Sequence, residues 1–171
     1  FRALAFGQQA CHPVSSVKRW KRPQAPCDPV QGHYFETLDI EIGRFRIQPN
    51  QLSDILPQHL VLLKAAQGAL KDADINPRPA PGDSPRTRMG CAIGIDFDFG
   101  AADFSLRWQL NRLDRSARDR ISPSLTFNRT LGALGGIVAS RVAREFKFGG
   151  PCFTLSADTA SGFRAIETGI H

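Results

Sequence analysis

The feature that most constrains this chain lies near its C-terminal end. Gly149, Gly150 and Pro151 break the backbone, a short apolar-rich run follows from Cys152 to Ala157, and an amphipathic stretch extends from Thr159 to Ile170. A Gly-Pro break ahead of such a run predicts a strand, and a strand that meets a helix within a few residues predicts a sharp turn. The free N–H groups of the helix start would then surround that turn. Upstream, Pro57 opens a stretch in which Leu60, Leu63, Ala66, Leu70 and Ala73 recur at helical spacing, predicting an amphipathic helix over 57–74. The run from Met89 to Ile95 is apolar and bounded by charge, so it predicts a second, buried strand. Strands and helices alternating in this order indicate an α/β fold.

Between these elements the reading is coarser. Pro13, Pro23, Pro26, Pro29 and Gly32 forbid a long helix or central strand over 12–37 and suggest an ordered surface excursion. Partial alternation from Leu38 to Ile47 suggests a short extended segment or edge strand, and the four prolines with Gly82 in 76–88 make that stretch a loop. Phe104, Trp108 and Leu110 predict a helix over 101–113, followed by a charged linker through Arg120. A long helix is expected from about Asn128 to Phe146, with Leu131, Leu134, Val138 and Val142 on one face. Gly135 and Gly136 inside it would cost around 1 kcal/mol each against alanine, so a second backbone is expected to pack closely there.

With 42% apolar and 22% charged residues in 171, the composition is that of a globular domain able to bury a core. No run approaches the roughly 20 apolar residues of a membrane span, and Phe1 to Gln9 lacks the regions of a signal peptide, so a cytoplasmic setting is expected. The net charge of +6 is not gathered into one stripe. Lys18, Arg19, Lys21 and Arg22 sit in the proline-broken segment, while Arg112, Arg115, Arg118 and Arg120 alternate with Asp114 and Asp119, which argues against a nucleic-acid partner. Cys11, Cys27, Cys91 and Cys152 are scattered, with no spacing that suits a zinc site, and are expected to be buried free thiols. His12, His33 and His59 are expected in exposed or capping roles.

The turn at 156–162 is a natural place for acyl chemistry, because a helix N-terminus lowers a thiol pKa and stabilises an oxyanion. The stretch GGIVASRVAREFKFGGPCFTLSADTASGFRAI, Gly135 to Ile166, resembles the β-ketoacyl synthase segment in which a Gly-x-x-Ala-x-Arg helix leads through Gly-Pro to the active-site elbow. FRIQPNQLSDILPQHLVLLKAAQGALKDADI, Phe45 to Ile75, is similar to that family's helix ahead of the first long loop. In detail the chain looks most like the ketosynthase or chain-length-factor-like domains of polyunsaturated fatty acid and polyketide synthases. The resemblance implies a thiolase-like layered α/β/α/β/α fold, of which this chain would be about one half. It further implies that residues 1–171 are a partial N-terminal domain, truncated at both ends.

In ordinary members the elbow resembles Asp-Thr-Ala-Cys-Ser-Ser. Without a gap, Ser156 takes the place of the family Asp and Thr159 that of the nucleophilic Cys. A gapped alternative would make Ser161 the counterpart of the nucleophile; the ungapped register is preferred. The resemblance implies a phosphopantetheine-bearing acyl carrier protein as substrate carrier, a ketosynthase-like partner or homodimer, and no directly bound cofactor or metal. A threonine hydroxyl needs an adjacent base to act as a nucleophile, and none is visible, so Thr159 is expected not to load acyl chains. Ser156 and Thr159 would in any case suit capping of the following helix. A half-fold would expose apolar faces and strand edges, so poor solubility of the isolated chain is expected.

Overall fold

A computed structural model of the chain describes residues 12–13, 31–32, 38–41, 43–52, 54–96, 105–122, 124–132 and 134–170. The chain divides into two units, Phe1–Asp39 and Ile40–His171. In the first, β1 (His12–Pro13) pairs antiparallel with β2 (Gln31–Gly32), with His12 opposite Gly32. The rest of the expected surface excursion over 12–37, with Cys27 and His33, lies outside the described residues, as does Cys11.

The second unit begins irregularly. Residues 40–41 and 43–48 form no strand, because the chain turns at Gly43 (φ +80°) and buries Phe45 in the core; residues 38–39, which end the first unit, form none either, so the expected edge strand over 38–47 is not formed among the described residues. Helix α1 (Pro57–Asp72) carries proline in its first turn and buries His59, Leu63 and Leu70 on one face. It ends in a Schellman motif: Asp74 adopts φ +55°, its N–H donates to Lys71 O at 3.1 Å, and Ile75 N–H donates to Leu70 O at 2.8 Å. The loop over 76–88 then delivers β3 (Cys91–Gly94). Lys147 holds that loop, its Nζ donating to the carbonyls of Ala80, Pro81 and Asp83 at 2.6, 2.9 and 2.7 Å.

The segment between the two strands departs from the sequence reading in two places. Helical backbone over 105–109 runs into a 3-10 turn at Leu110–Arg112, while 101–104 lie outside the described residues. The expected charged linker is instead a helix, α2 (Arg115–Ile121), because the Asp114 side chain accepts from Ala117 N–H and caps it. Arg107 ties the two pieces together, donating to Ser122 O at 2.6 Å and pairing with Asp119. The long helix expected from Asn128 to Phe146 is two helices, α3 (Phe127–Gly132) and α4 (Ile137–Phe146). Gly135 and Gly136 form the turn between them. Among the described residues no second backbone packs there: a Cβ on Gly135 would meet only the Ile95 side chain, and one on Gly136 would meet nothing within 4 Å.

Strand β4 (Cys152–Leu155) pairs parallel with β3, from Cys91 opposite Cys152 to Gly94 opposite Leu155. Side chains alternate across a strand, and Ile93 packs with Val138, Ala139 and Val142 of α4, so the odd-numbered face of β3 looks onto α4. Gly94 points the other way, onto the start of the last helix, α5 (Ser161–Ile170). The two helices therefore cover opposite faces of the pair, and α1 packs behind α4. Phe45, Leu63, Leu70, Ile93, Val138, Ala139, Val142 and Phe146 form the core cluster.

Candidate functional site at the turn between β4 and α5

The turn expected near Thr159 forms directly beyond β4. Ile95 N–H donates to Leu155 O at 2.9 Å, the last rung of the ladder, and the chain then reverses within a few residues. Asp158 takes the left-handed conformation, φ +48°, which Asp tolerates better than most residues. Ala160 N–H donates to Ala157 O at 3.0 Å, Ser161 N–H to Asp158 O at 3.1 Å, and Arg164 N–H to Ala160 O at 3.0 Å, which starts the helix.

Ser161 fastens this turn. Its Oγ accepts from Ala157 N–H at 2.9 Å and donates to Asp158 O at 2.6 Å, and the residue is 4% exposed. Ser156 and Thr159 do not cap the helix as expected: both are exposed, and among the described residues neither side chain has a hydrogen-bond partner. The capping role passes to Ser161 because a hydroxyl inside the first turn reaches back to the Ala157 N–H and adds a second donor to the Asp158 carbonyl, which also accepts from Ser161 N–H.

Gly94 makes the arrangement possible. A Cβ at that position would lie 2.3 Å from Ser161 O and 2.7 Å from Gly162 N, so the α5 start rests directly on the β3 backbone. The result is a rigid elbow with Thr159 on its outer side.

The chain matches the family described as "Beta-ketoacyl synthase, N-terminal domain" over residues 2–171. It belongs to that family. The fold of this ketoacyl-synthase domain is thiolase-like, and the described residues form a partial mixed α/β arrangement with a small parallel sheet. Over 136 residues, 80% of this chain, it is 26% identical to the spectinabilin polyketide synthase system protein NorA of Streptomyces orinoci. It is 24% identical over 147 residues, 82% of this chain, to a component of the polyunsaturated fatty acid synthase of a Thraustochytrium strain. It is 27% identical over 127 residues, 74% of this chain, to the probable polyketide synthase 14 of Dictyostelium discoideum. The chain spans only 6%, 7% and 4% of these relatives' own lengths.

Among the described residues of the second unit, the one histidine of this family member is His59, on α1. His59, expected to be exposed or capping, is 1% exposed on the core face of α1, and among the described residues neither ring nitrogen has a hydrogen-bond partner. Its spacing of four residues from Leu63 placed it on the buried stripe, a signal the helix-start position obscured. Burial, and then the Arg141 guanidinium, lower its pKa from 6.5 to about 4, so it is a neutral core residue. His12 lies in the first unit, and His171 falls outside the described residues. No helix among the described residues is long and apolar enough to cross a membrane.

Sequence reasoning identified the turn but missed its fastener and its floor. Ser161 was visible only as an alternative nucleophile, and Gly94 carried no signal in one sequence, because its role depends on which backbone crosses it.

Proposed function

We propose that this chain is part of a ketosynthase-like domain of a polyketide or polyunsaturated fatty acid synthase in which Thr159 stands at the nucleophile position and does not load acyl chains. Its role is that of a chain-length-factor-like partner, pairing with an active ketosynthase and receiving phosphopantetheine-borne acyl chains from an acyl carrier protein without forming a covalent intermediate. The observation that carries this reading is the side chain at the elbow: an exposed threonine hydroxyl with no base bonded to it among the described residues. A hydroxyl without a base is a poor acyl acceptor.

Ser161 is unsuited to the same task. Its hydroxyl proton is held by Asp158 O, its oxygen accepts from Ala157 N–H, and it is buried. That favours the ungapped register over the one that would make Ser161 the nucleophile. The relatives, synthase proteins by name, support the setting. The alternative reading, an active condensing or decarboxylating acyltransferase, requires acyl transfer to Thr159 or catalysis that bypasses it.

The test is incubation with an acyl-loaded acyl carrier protein, followed by peptide mass spectrometry over 152–164. No acyl mass on Thr159 or Ser161 is expected. An acyl ester on Thr159 would overturn the degenerate-site reading and favour the acyltransferase.

A further inference from the structure

Cys91 and Cys152 begin the two parallel strands as a register pair, so both side chains leave the same face of the sheet, the one that α4 covers. Cys91 Sγ lies 3.9 Å from Ala139 O, and Cys152 Sγ lies 3.5 Å from Gly150 O. Both cysteines are free and only partly buried, which leaves them reachable by a small ion. They sit at the strand starts, whereas the elbow with Thr159 follows the strand ends.

A disulfide does not suit this geometry. Adjacent strands lie about 4.8 Å apart, side chains in direct register keep close to that spacing, and bridged cysteines want Cβ atoms about 3.8 Å apart. Closing the bond would draw the strands together by about 1 Å, beside a point where they already meet closely: a Cβ on Gly90 would fall 2.2 Å from Pro151 O. An ion bound by two sulfurs at about 2.3 Å each would span about 4.6 Å, close to the natural spacing. No third His, Cys, Asp or Glu among the described residues joins the pair, which selects ions content with two ligands. Among biological metals, soft thiolate sites of this kind select copper(I).

We propose that Cys91 and Cys152 form a dithiol site for one soft, two-coordinate metal ion of the copper(I) class. On binding, two S–H bonds break, two sulfur–metal bonds form and two protons pass to solvent; the metal and both sulfurs keep their oxidation states. Because two protons leave on binding, affinity is expected to rise with pH.

The test uses the full chain carrying Cys11→Ser and Cys27→Ser, reduced and kept free of oxygen, in competition with the copper(I) chelator bicinchoninate. One copper per chain is expected, with both remaining cysteines protected from iodoacetamide. Adding Cys91→Ser or Cys152→Ser is expected to lower the affinity by about 100-fold or more, because the second thiol acts at high effective concentration. The alkylation footprint of the unsubstituted pair serves as a second readout that does not depend on those variants folding. Failure of the folded chain to retain copper, equal affinity in the single-serine variants, or copper retained with neither thiol protected would each overturn the proposal.

Discussion

Acidification is expected to destabilise this domain through His59. The imidazole is 1% exposed, and its pKa falls from 6.5 to about 4 in the fold, through burial and then through Arg141. Because the folded-state value is the lower one, the unfolded chain takes up the proton first as pH falls. The stabilisation is complete above pH 6.5, declines between 6.5 and 4, and is gone below 4. A shift of this size corresponds to about 3 kcal/mol, a large fraction of the roughly 5–15 kcal/mol typical of a whole domain. The assay is urea unfolding across pH 4 to 7.5, comparing the wild type with His59→Gln, which carries no titrating proton. The difference between the two removes the contributions of carboxylates and of the other histidines. The wild type is expected to lose about 3 kcal/mol more than the variant over that range. Parallel losses in both proteins would refute the reasoning and show that His59 is hydrated or paired.

Three other perturbations address the elbow and its surroundings. Gly94→Ala forces a Cβ to within 2.3 Å of Ser161 O and is expected to cost at least about 1–3 kcal/mol in thermal denaturation; an unshifted midpoint would mean that α5 does not rest on β3. Ser161→Ala removes two hydrogen bonds and is expected to cost about 1–2 kcal/mol. Thr159→Ala removes none and is expected to stay within about 0.5 kcal/mol of the wild type, so the reverse order would contradict the assignment of the fastener. Phe163, Ile166 and Ile170 expose 78%, 62% and 77% of their surface along one stripe of α5. Replacing all three by glutamine is expected to reduce aggregation of the isolated chain in light scattering without lowering its melting temperature, and a cooperative loss of fold would show the stripe to be buried.

The elements with strong periodicity were legible. Leu63 and Leu70 in α1, and the breaker–strand–turn–helix sequence around Pro151, follow from local spacing and turn chemistry. The misses share a cause: a local cue outweighed by a specific contact. Asp114 caps α2 and turns a charged linker into a helix, the Gly135–Gly136 turn divides one expected helix into two, and Phe45 leaves its extended pattern to enter the core. At the site, the turn between β4 and α5 was readable because the Gly-Pro break and the following helix bound it on either side. The roles of Ser161 and Gly94 were not, since both depend on a backbone brought close only by folding.

The central claim is that Thr159, and not Ser161, occupies the nucleophile position of an otherwise intact elbow. Thiol scanning tests it most directly: Thr159→Cys and Ser161→Cys are prepared separately, and the rate of iodoacetamide modification at each new thiol is read by peptide mapping. The thiol introduced at the exposed position by Thr159→Cys is expected to react rapidly and to be blocked by prior exposure to an acyl-carrier-protein thioester, while the thiol from Ser161→Cys stays protected. Rapid, acyl-sensitive modification of the Ser161→Cys variant, with an inert thiol in Thr159→Cys, would contradict the register and the function built on it.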